Sequence, residues 1–201
     1  SIYLGTYHLG TKVPRPNHVL QPGRDQRVGH ISPPTTSCAL DPALKYRSNV
    51  PKYSEFVFEP LDPEFSKRAA VRRDRGIANL IVAGVSYGQG SSREHAALCP
   101  MYLGVKAVMA KSMERIHAAN LVNFGIIPFT FVSESDYDLL SRDDDLEIPG
   151  IRDALEGGAE VVEAFDRTAE KKVILKMVLS RRQREMVAAG GLLPYTVRKR
   201  G

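Results

Sequence analysis

Cysteine is scarce in this sequence, which contains only Cys38 and Cys99. The two lie far apart and form no Cys-x-x-Cys pair, so the sequence supports neither a disulfide framework nor a self-contained metal site. No run of about 18 apolar residues occurs, and the N-terminus lacks the basic-then-apolar pattern of a secretory signal. We therefore expect a soluble protein. Free thiols favour a reducing compartment, the cytoplasm or, in a eukaryote, the mitochondrial matrix.

The remaining composition is that of an ordinary globular chain. Its 201 residues are 43% apolar and 25% charged, which is enough for one compact domain with an extended arm. The formal charge of +5 favours an anionic partner, such as nucleic acid, an acidic membrane or a polycarboxylate. The densest basic stretches, 171–172, 181–184 and 198–200, have the pattern of solvated faces, and we expect no membrane association.

Residues 1–45 differ from the rest of the chain because they are rich in proline and polar residues and show little periodicity. This pattern predicts an N-terminal arm or linker with at most short strands. Residues 46–201 are predicted to form the folded domain. Such an arm usually packs on something else, which indicates a piece of a larger protein or a subunit that wraps one.

The centre of the chain alternates between strand and helix patterns. The predicted elements are a buried strand over 78–85, a helix that starts at Ser91 and Ser92 and is disturbed at Pro100, a strand over 105–110, a helix over 112–124 capped by Ser112 and ended by Gly125, and a strand over 126–131. Two crossovers of strand, helix and strand predict neighbouring parallel strands. Ligands are expected where loops leave the carboxyl ends of these strands.

The C-terminal third begins with an acidic loop over 141–146. A hairpin is then predicted from strands over 159–165 and 171–179, and a helix over 180–190 that Ser180 and Gln183 cap reciprocally. The predicted fold class is therefore α/β, with a small parallel core and extra antiparallel strands.

The stretch Tyr87–His95 combines glycine, serine and arginine at a strand-to-helix junction. Backbone N–H groups at a helix start favour negative charge, and Gly88 and Gly90 let the backbone approach a ligand closely. The planar guanidinium of Arg93 suits a carboxylate. The loop thus has the chemistry of a carboxylate cradle that contains two hydroxyls. The alternative is that Ser91, with Glu94 as its box partner, only caps the helix.

The run Tyr-Gly-Gln-Gly-Ser-Ser-Arg-Glu-His-Ala-Ala-Leu over 87–98 resembles the serine loop of aconitases. The likeness continues through Tyr102–Ala107, Ala110–His117 and Phe124–Phe131, and upstream through Arg47–Pro51 and Ser54–Phe58. It covers about residues 43–131, with a looser likeness to about residue 195. It implies the aconitase swivel domain, a swivelling β/β/α three-layer fold that the small subunit of isopropylmalate isomerase and homoaconitase share.

The resemblance also implies roles for individual residues. Ser91 matches the family's catalytic base, which removes a proton next to a carboxylate during citrate–isocitrate interconversion through cis-aconitate. Ser92, Arg93 and Arg47 match binders of the substrate carboxylates. A [4Fe–4S] cluster, whose iron helps hydroxide leave, is held by three cysteines in the rest of the polypeptide or in a large subunit, so no metal ligand is expected in this chain.

One departure concerns an aspartate that aconitases carry in a Thr-Asp-His-Ile type segment. This chain reads His-Ile-Ser-Pro-Pro-Thr-Thr-Ser over 30–37 and has no acidic residue between Asp25 and Asp41. A related hydro-lyase, or a weakly active or non-catalytic paralogue with a regulatory or RNA-binding role, therefore stays an alternative. No RNA-binding motif supports the RNA role.

Four further side chains are interpreted as packing or surface residues without a catalytic role. His95 and His117 match packing histidines better than catalytic ones, and His117, beside apolar helix neighbours, is expected to be hydrogen-bonded. Lys111 and Arg115 are expected to be surface or interdomain contacts. Without the resemblance, Arg47 would be an exposed surface arginine.

Overall fold

The structure is a computed structural model that describes residues 43, 45–89 and 94–200 with their side chains and residues 2–9 by their backbone. Within these residues the strands are β1 (Ile2–Leu9), β2 (Ala78–Ala83), β3 (Val105–Ala110), β4 (Ile127–Phe131), β5 (Asp145–Ile148), β6 (Val161–Asp166) and β7 (Lys171–Lys176). The helices are α1 (Val50–Ser54), α2 (Phe65–Asp74), α3 (His95–Tyr102), α4 (Arg115–Asn123), α5 (Ile151–Gly157), α6 (Arg181–Ala189) and α7 (Leu192–Arg200), with a 3₁₀ turn at Glu134–Leu139.

The seven strands close into a barrel in the order β1-β2-β3-β4-β7-β6-β5. Strands β1 to β4 are parallel, whereas β4–β7, β7–β6, β6–β5 and β5–β1 are antiparallel pairs. The predicted parallel core and the predicted β6–β7 hairpin are therefore confirmed. Strand β1 comes from the stretch assigned to the arm, and the boundary at residue 45 stays a prediction.

Two apolar clusters divide the molecule into three layers. Because side chains alternate along a strand, Leu80 and Val82 of β2 face the barrel interior, where they meet residues of the antiparallel strands such as Leu175. Their neighbours Ile81 and Ala83 belong to the second cluster, which joins the parallel strands to helices α1 to α4. The layers are thus an antiparallel sheet, a parallel sheet and helices, as the predicted α/β fold requires.

Helix α3 corrects the expectation that Pro100 disturbs the helix. The helix runs on to Tyr102 with Pro100 inside it. A proline removes one backbone donor, but Ala97, Cys99 and Pro100 itself are buried in the core. Burial of this face offsets the lost hydrogen bond, so tertiary packing overrides the local propensity.

Helix α4 corrects the predicted cap at Ser112. The helix begins at Arg115 after Glu114, and no side-chain cap is present at that end. The Ser112 hydroxyl instead accepts a hydrogen bond from the backbone N–H of Ser86 at 2.7 Å. Gly125 follows the helix with φ of +72°, so its predicted role as the end of the helix is confirmed.

The prediction of an acidic loop over 141–146 is also corrected, because the last residues of this stretch belong to β5. Only Leu146 and Ile148 of this strand are buried, so its hydrophobic pattern is too short to be read from sequence. The predicted capping box of α6 is confirmed, since the side chains of Ser180 and Gln183 each bond the other's backbone N–H.

Candidate functional site

The carboxyl ends of β2, β3 and β4 lie side by side, and the glycine-containing loop leaves from β2 at this edge. The loop is tied to the segment after β3 by backbone hydrogen bonds. Tyr87 N donates to Ser112 O at 2.9 Å, and Glu114 N donates to Tyr87 O at 2.8 Å. The loop therefore leaves the sheet on a fixed path, which ends in the described structure at Gln89.

Gly88 has a conformation and an environment that both require glycine. Its φ is +98°, in the region that residues with a side chain rarely adopt. A Cβ atom added there would lie 2.3 Å from the Cβ of His117. The close approach is thus to a neighbouring side chain of α4. The predicted part of Gly88 in an anion cradle stays a prediction.

His117 lies on α4 against this glycine and is only 2% exposed. Its ring meets the Tyr87 ring edge-on, with centroids 4.9 Å apart. Neither ring nitrogen has a hydrogen-bond partner among the residues that the structure describes. The prediction of a packing histidine is confirmed, whereas the prediction that it is hydrogen-bonded is wrong for this part of the chain. Burial lowers the pKa of His117 to about 4, so the ring is neutral near pH 7.

Arg47 lies in the turn before α1 with an exposed side chain. Its backbone carbonyl accepts a hydrogen bond from Nε2 of His95 at 3.0 Å. Since a carbonyl only accepts, His95 carries a proton on Nε2. His95 is the first residue of α3, and its ring also meets Tyr53 of α1 edge-on at 5.4 Å. The contact places Arg47 beside the start of α3.

The remaining predicted site residues, Gly90, Ser91, Ser92 and Arg93, lie outside the described residues. The structure describes their flanks, Gln89 at the end of the loop and Glu94 at the N-cap position of α3. The serine stretch therefore connects the glycine-containing loop to the start of α3, which lies beside Arg47. The capping box of Ser91 with Glu94 stays a prediction.

Lys111 and Arg115 flank this edge of the sheet. Lys111 Nζ lies 4.9 Å from the centre of the Tyr137 ring, and Arg115 is exposed at the start of α4. Their assignment as surface or interdomain contacts stays a prediction.

Over residues 43, 45–89 and 94–200, no three His, Cys, Asp or Glu side chains are grouped as a metal site would require. The Cys99 thiol is buried in the core beneath α3, and Cys38 lies outside the described residues. Within the same ranges, every helix is too short or too polar to cross a membrane.

Sequence reasoning missed the link between His95 and Arg47, and it missed the contact between His117 and Gly88. The first pair is separated by 48 positions. No local pattern reports such a contact, because only the packing of α1 on α3 produces it. For the contact between His117 and Gly88, the sequence showed only a glycine and a histidine on neighbouring predicted elements.

Comparison with known proteins shows which family this chain resembles. Residues 17–134, more than half of the chain, match the family model of the aconitase C-terminal domain. A mitochondrial aconitate hydratase of Schizosaccharomyces pombe is 40% identical over 125 residues, which is 61% of this chain and 16% of that protein. A mitochondrial homocitrate dehydratase of Saccharomyces cerevisiae is 38% identical over 121 residues, 57% of this chain and 15% of that protein. The chain therefore spans about a sixth of the length of these relatives.

A solved structure supports the same conclusion for the fold. The crystal structure of a 3-isopropylmalate dehydratase from Methanocaldococcus jannaschii superposes with a TM-score of 0.63 at 27% identity. The match covers 83% of this chain and 87% of that one. It confirms the predicted swivel-type α/β fold.

Proposed function

Because the chain belongs to the aconitase C-terminal domain family, we propose that it is the swivel domain of an aconitate hydratase. In this proposal it provides the serine base and the carboxylate-binding side chains for interconversion of citrate and isocitrate through cis-aconitate. The observation that carries it is the hydrogen bond from His95 to the backbone carbonyl of Arg47, since it brings the backbone of this arginine, whose side chain is exposed, to the start of the helix that follows the serine stretch.

Ser91 is the proposed base, which removes the proton from the carbon next to a substrate carboxylate. A serine hydroxyl is a poor base near neutral pH unless its anion is stabilised. Backbone N–H groups at the start of α3 and the guanidinium of Arg93 are the groups of this chain that would stabilise it.

Arg47, Ser92 and Arg93 are proposed to bind substrate carboxylates, and Gly88 and Gly90 to let the backbone approach them. Arginine suits this role because its planar donors match both oxygens of a carboxylate. Two arginines near one helix start would match a substrate with two or three carboxylates.

The described residues do not fit an iron–sulfur cluster, because they lack a grouped set of ligands and Cys99 is buried. We therefore propose that a [4Fe–4S] cluster is bound by cysteines of the remaining domains or of a large subunit. This chain then contributes proton transfer and substrate binding, and it requires that partner for turnover. The named relatives are mitochondrial; a cytoplasmic location or the mitochondrial matrix stays a prediction for this chain.

The test is Ser91→Ala in the full-length protein with its cluster reconstituted. We expect isocitrate dehydration to be lost while the thermal unfolding midpoint stays unchanged. Ser135→Ala, at an exposed serine on the 3₁₀ turn, is the matched control and is expected to keep full activity. Unchanged turnover in Ser91→Ala would refute the assignment of the base.

A second candidate is a related hydro-lyase that acts on another substrate of the same chemical class. It is favoured by the homocitrate dehydratase relative and by the 3-isopropylmalate dehydratase structure. Comparing kcat/KM for isocitrate, homocitrate and 3-isopropylmalate decides between the two. A preference of at least about tenfold, or about 1.4 kcal/mol, for isocitrate supports aconitate hydratase.

A further inference from the structure

Helix α4 carries the buried His117 and the half-buried Asn120, both of which have buried polar atoms without a hydrogen-bond partner among the described residues. Both ring nitrogens of His117 and the Nδ2 of Asn120 are buried without partners in the described part of the chain. The two residues are three positions apart, so their side chains lie on the same side of the helix. Unpaired polar atoms in a protein interior are unfavourable, and such atoms concentrate where function requires them.

The surroundings of His117 connect it to the glycine loop. Its ring packs on Tyr87 and fills the space where a side chain at Gly88 would lie. Its helix, α4, also contacts α3. His117 thus lies against the last described part of the loop, on a helix that contacts the one to which the serine stretch leads.

We propose that His117 is a positioning residue for the reaction proposed above, and this inference rests on that proposed function. Its ring holds Gly88 in the left-handed conformation that directs the chain toward Ser91. Its nitrogens, together with Asn120, form hydrogen bonds to polar groups of the assembled active site.

The chemistry of the ring suits this role. A neutral imidazole offers one donor and one acceptor, so it can form hydrogen bonds to two polar groups at once without adding a positive charge to the proposed site. The low pKa of about 4 keeps it in this form at physiological pH. In this role His117 does not contact a reacting atom, and its effect is on the geometry of the base.

The experiment uses the full-length protein with its cluster reconstituted. His117 is replaced in three separate variants. His117→Phe keeps a ring over Gly88 but removes both nitrogens, whereas His117→Asn and His117→Gln each restore one polar position. Ile116→Ala, at the exposed neighbour on the same helix, is the control. For each variant, kcat, KM and the thermal unfolding midpoint are measured, with Ser91→Ala alongside.

We expect His117→Phe to lower kcat about tenfold or more, as the loss of one or two buried hydrogen bonds would. KM should change by less than about threefold, and the unfolding midpoint should not fall. One of the two amide variants should recover part of kcat and so identify the ring nitrogen that is used.

A His117→Phe enzyme with unchanged kcat would overturn the inference, whatever Ser91→Ala does. A kcat that falls only together with the unfolding midpoint, and that neither amide variant restores, would also overturn it in favour of a purely structural role. Full activity in Ser91→Ala would refute the proposed base separately, so the two failures are distinguishable.

Discussion

Helices α4 and α6 both carry a buried side chain that contains nitrogen atoms, but the two side chains differ in their hydrogen-bond partners. Arg184 of α6 is 7% exposed and donates to three backbone carbonyls, those of Ala154, Met177 and Leu179. His117 of α4 is 2% exposed and has no partner among the described residues. Each guanidinium nitrogen of Arg184 has a partner within the fold, whereas neither ring nitrogen of His117 has one among the described residues.

The starts of the same two helices repeat the contrast, although both helices are followed by a glycine with positive φ. Helix α6 has a complete capping box at its start and Gly190 with φ of +93° at its end. Helix α4 has no side-chain cap, and the backbone of Glu114 is used to hold the glycine loop. Helix α6 therefore has the capping and side-chain hydrogen bonds that stabilise a helix. Helix α4 lacks some of these stabilising bonds and instead supports the loop at the proposed site.

The largest effect is expected when the satisfied side chain is removed. Arg184→Ala removes the guanidinium donors from three carbonyls, of which that of Ala154 keeps a backbone donor, the N–H of Ala159. It also opens space between α5, β7 and α6, so it should lower the free energy of unfolding by about 4 kcal/mol. Urea denaturation of this chain measures the change. Arg182→Ala, at an exposed neighbour, is the control; an equal loss there would contradict the role of the buried guanidinium.

The next effect concerns pH and His117. Burial lowers its pKa from 6.5 to about 4 in the folded state, so between these values the unfolded chain binds more protons. Stability should therefore fall as the pH drops from about 6.5 to 4, by up to about 3 kcal/mol in total. His117→Phe should lack this part of the pH dependence in urea titrations. A variant with the same slope as the wild type would show that other groups cause it.

The smallest effect is expected at the start of α6. Ser180→Ala removes the side-chain acceptor for Gln183 N and should cost about 1 kcal/mol, again by urea denaturation. Glu114→Ala at the start of α4 should cost less, because no side-chain cap is present there. A larger loss at Glu114 than at Ser180 would reverse the comparison between the helices.

Sequence patterns predicted the parallel core well, since β2, β3 and β4 are apolar runs separated by helices. They failed where a contact between distant segments decides the local structure. Ser112 has the residue type of a helix cap but bonds Ser86 across the loop, and Pro100 is accommodated because its helix face is buried. Strand β5 is too short to show a pattern, yet β1 and β6 pair with it and close the barrel.

For the candidate site, the residue types could be read from the sequence alone: glycines, serines and arginines at a strand-to-helix junction, and the family that this run identifies. Such information is local, because a motif lies within a few neighbouring positions. The folded chain was needed to find that His95 joins Arg47 to the start of α3, and that His117 fills the space beside Gly88 with its nitrogens unpaired among the described residues. Burial and hydrogen-bond satisfaction depend on packing between distant segments, and no local pattern encodes them.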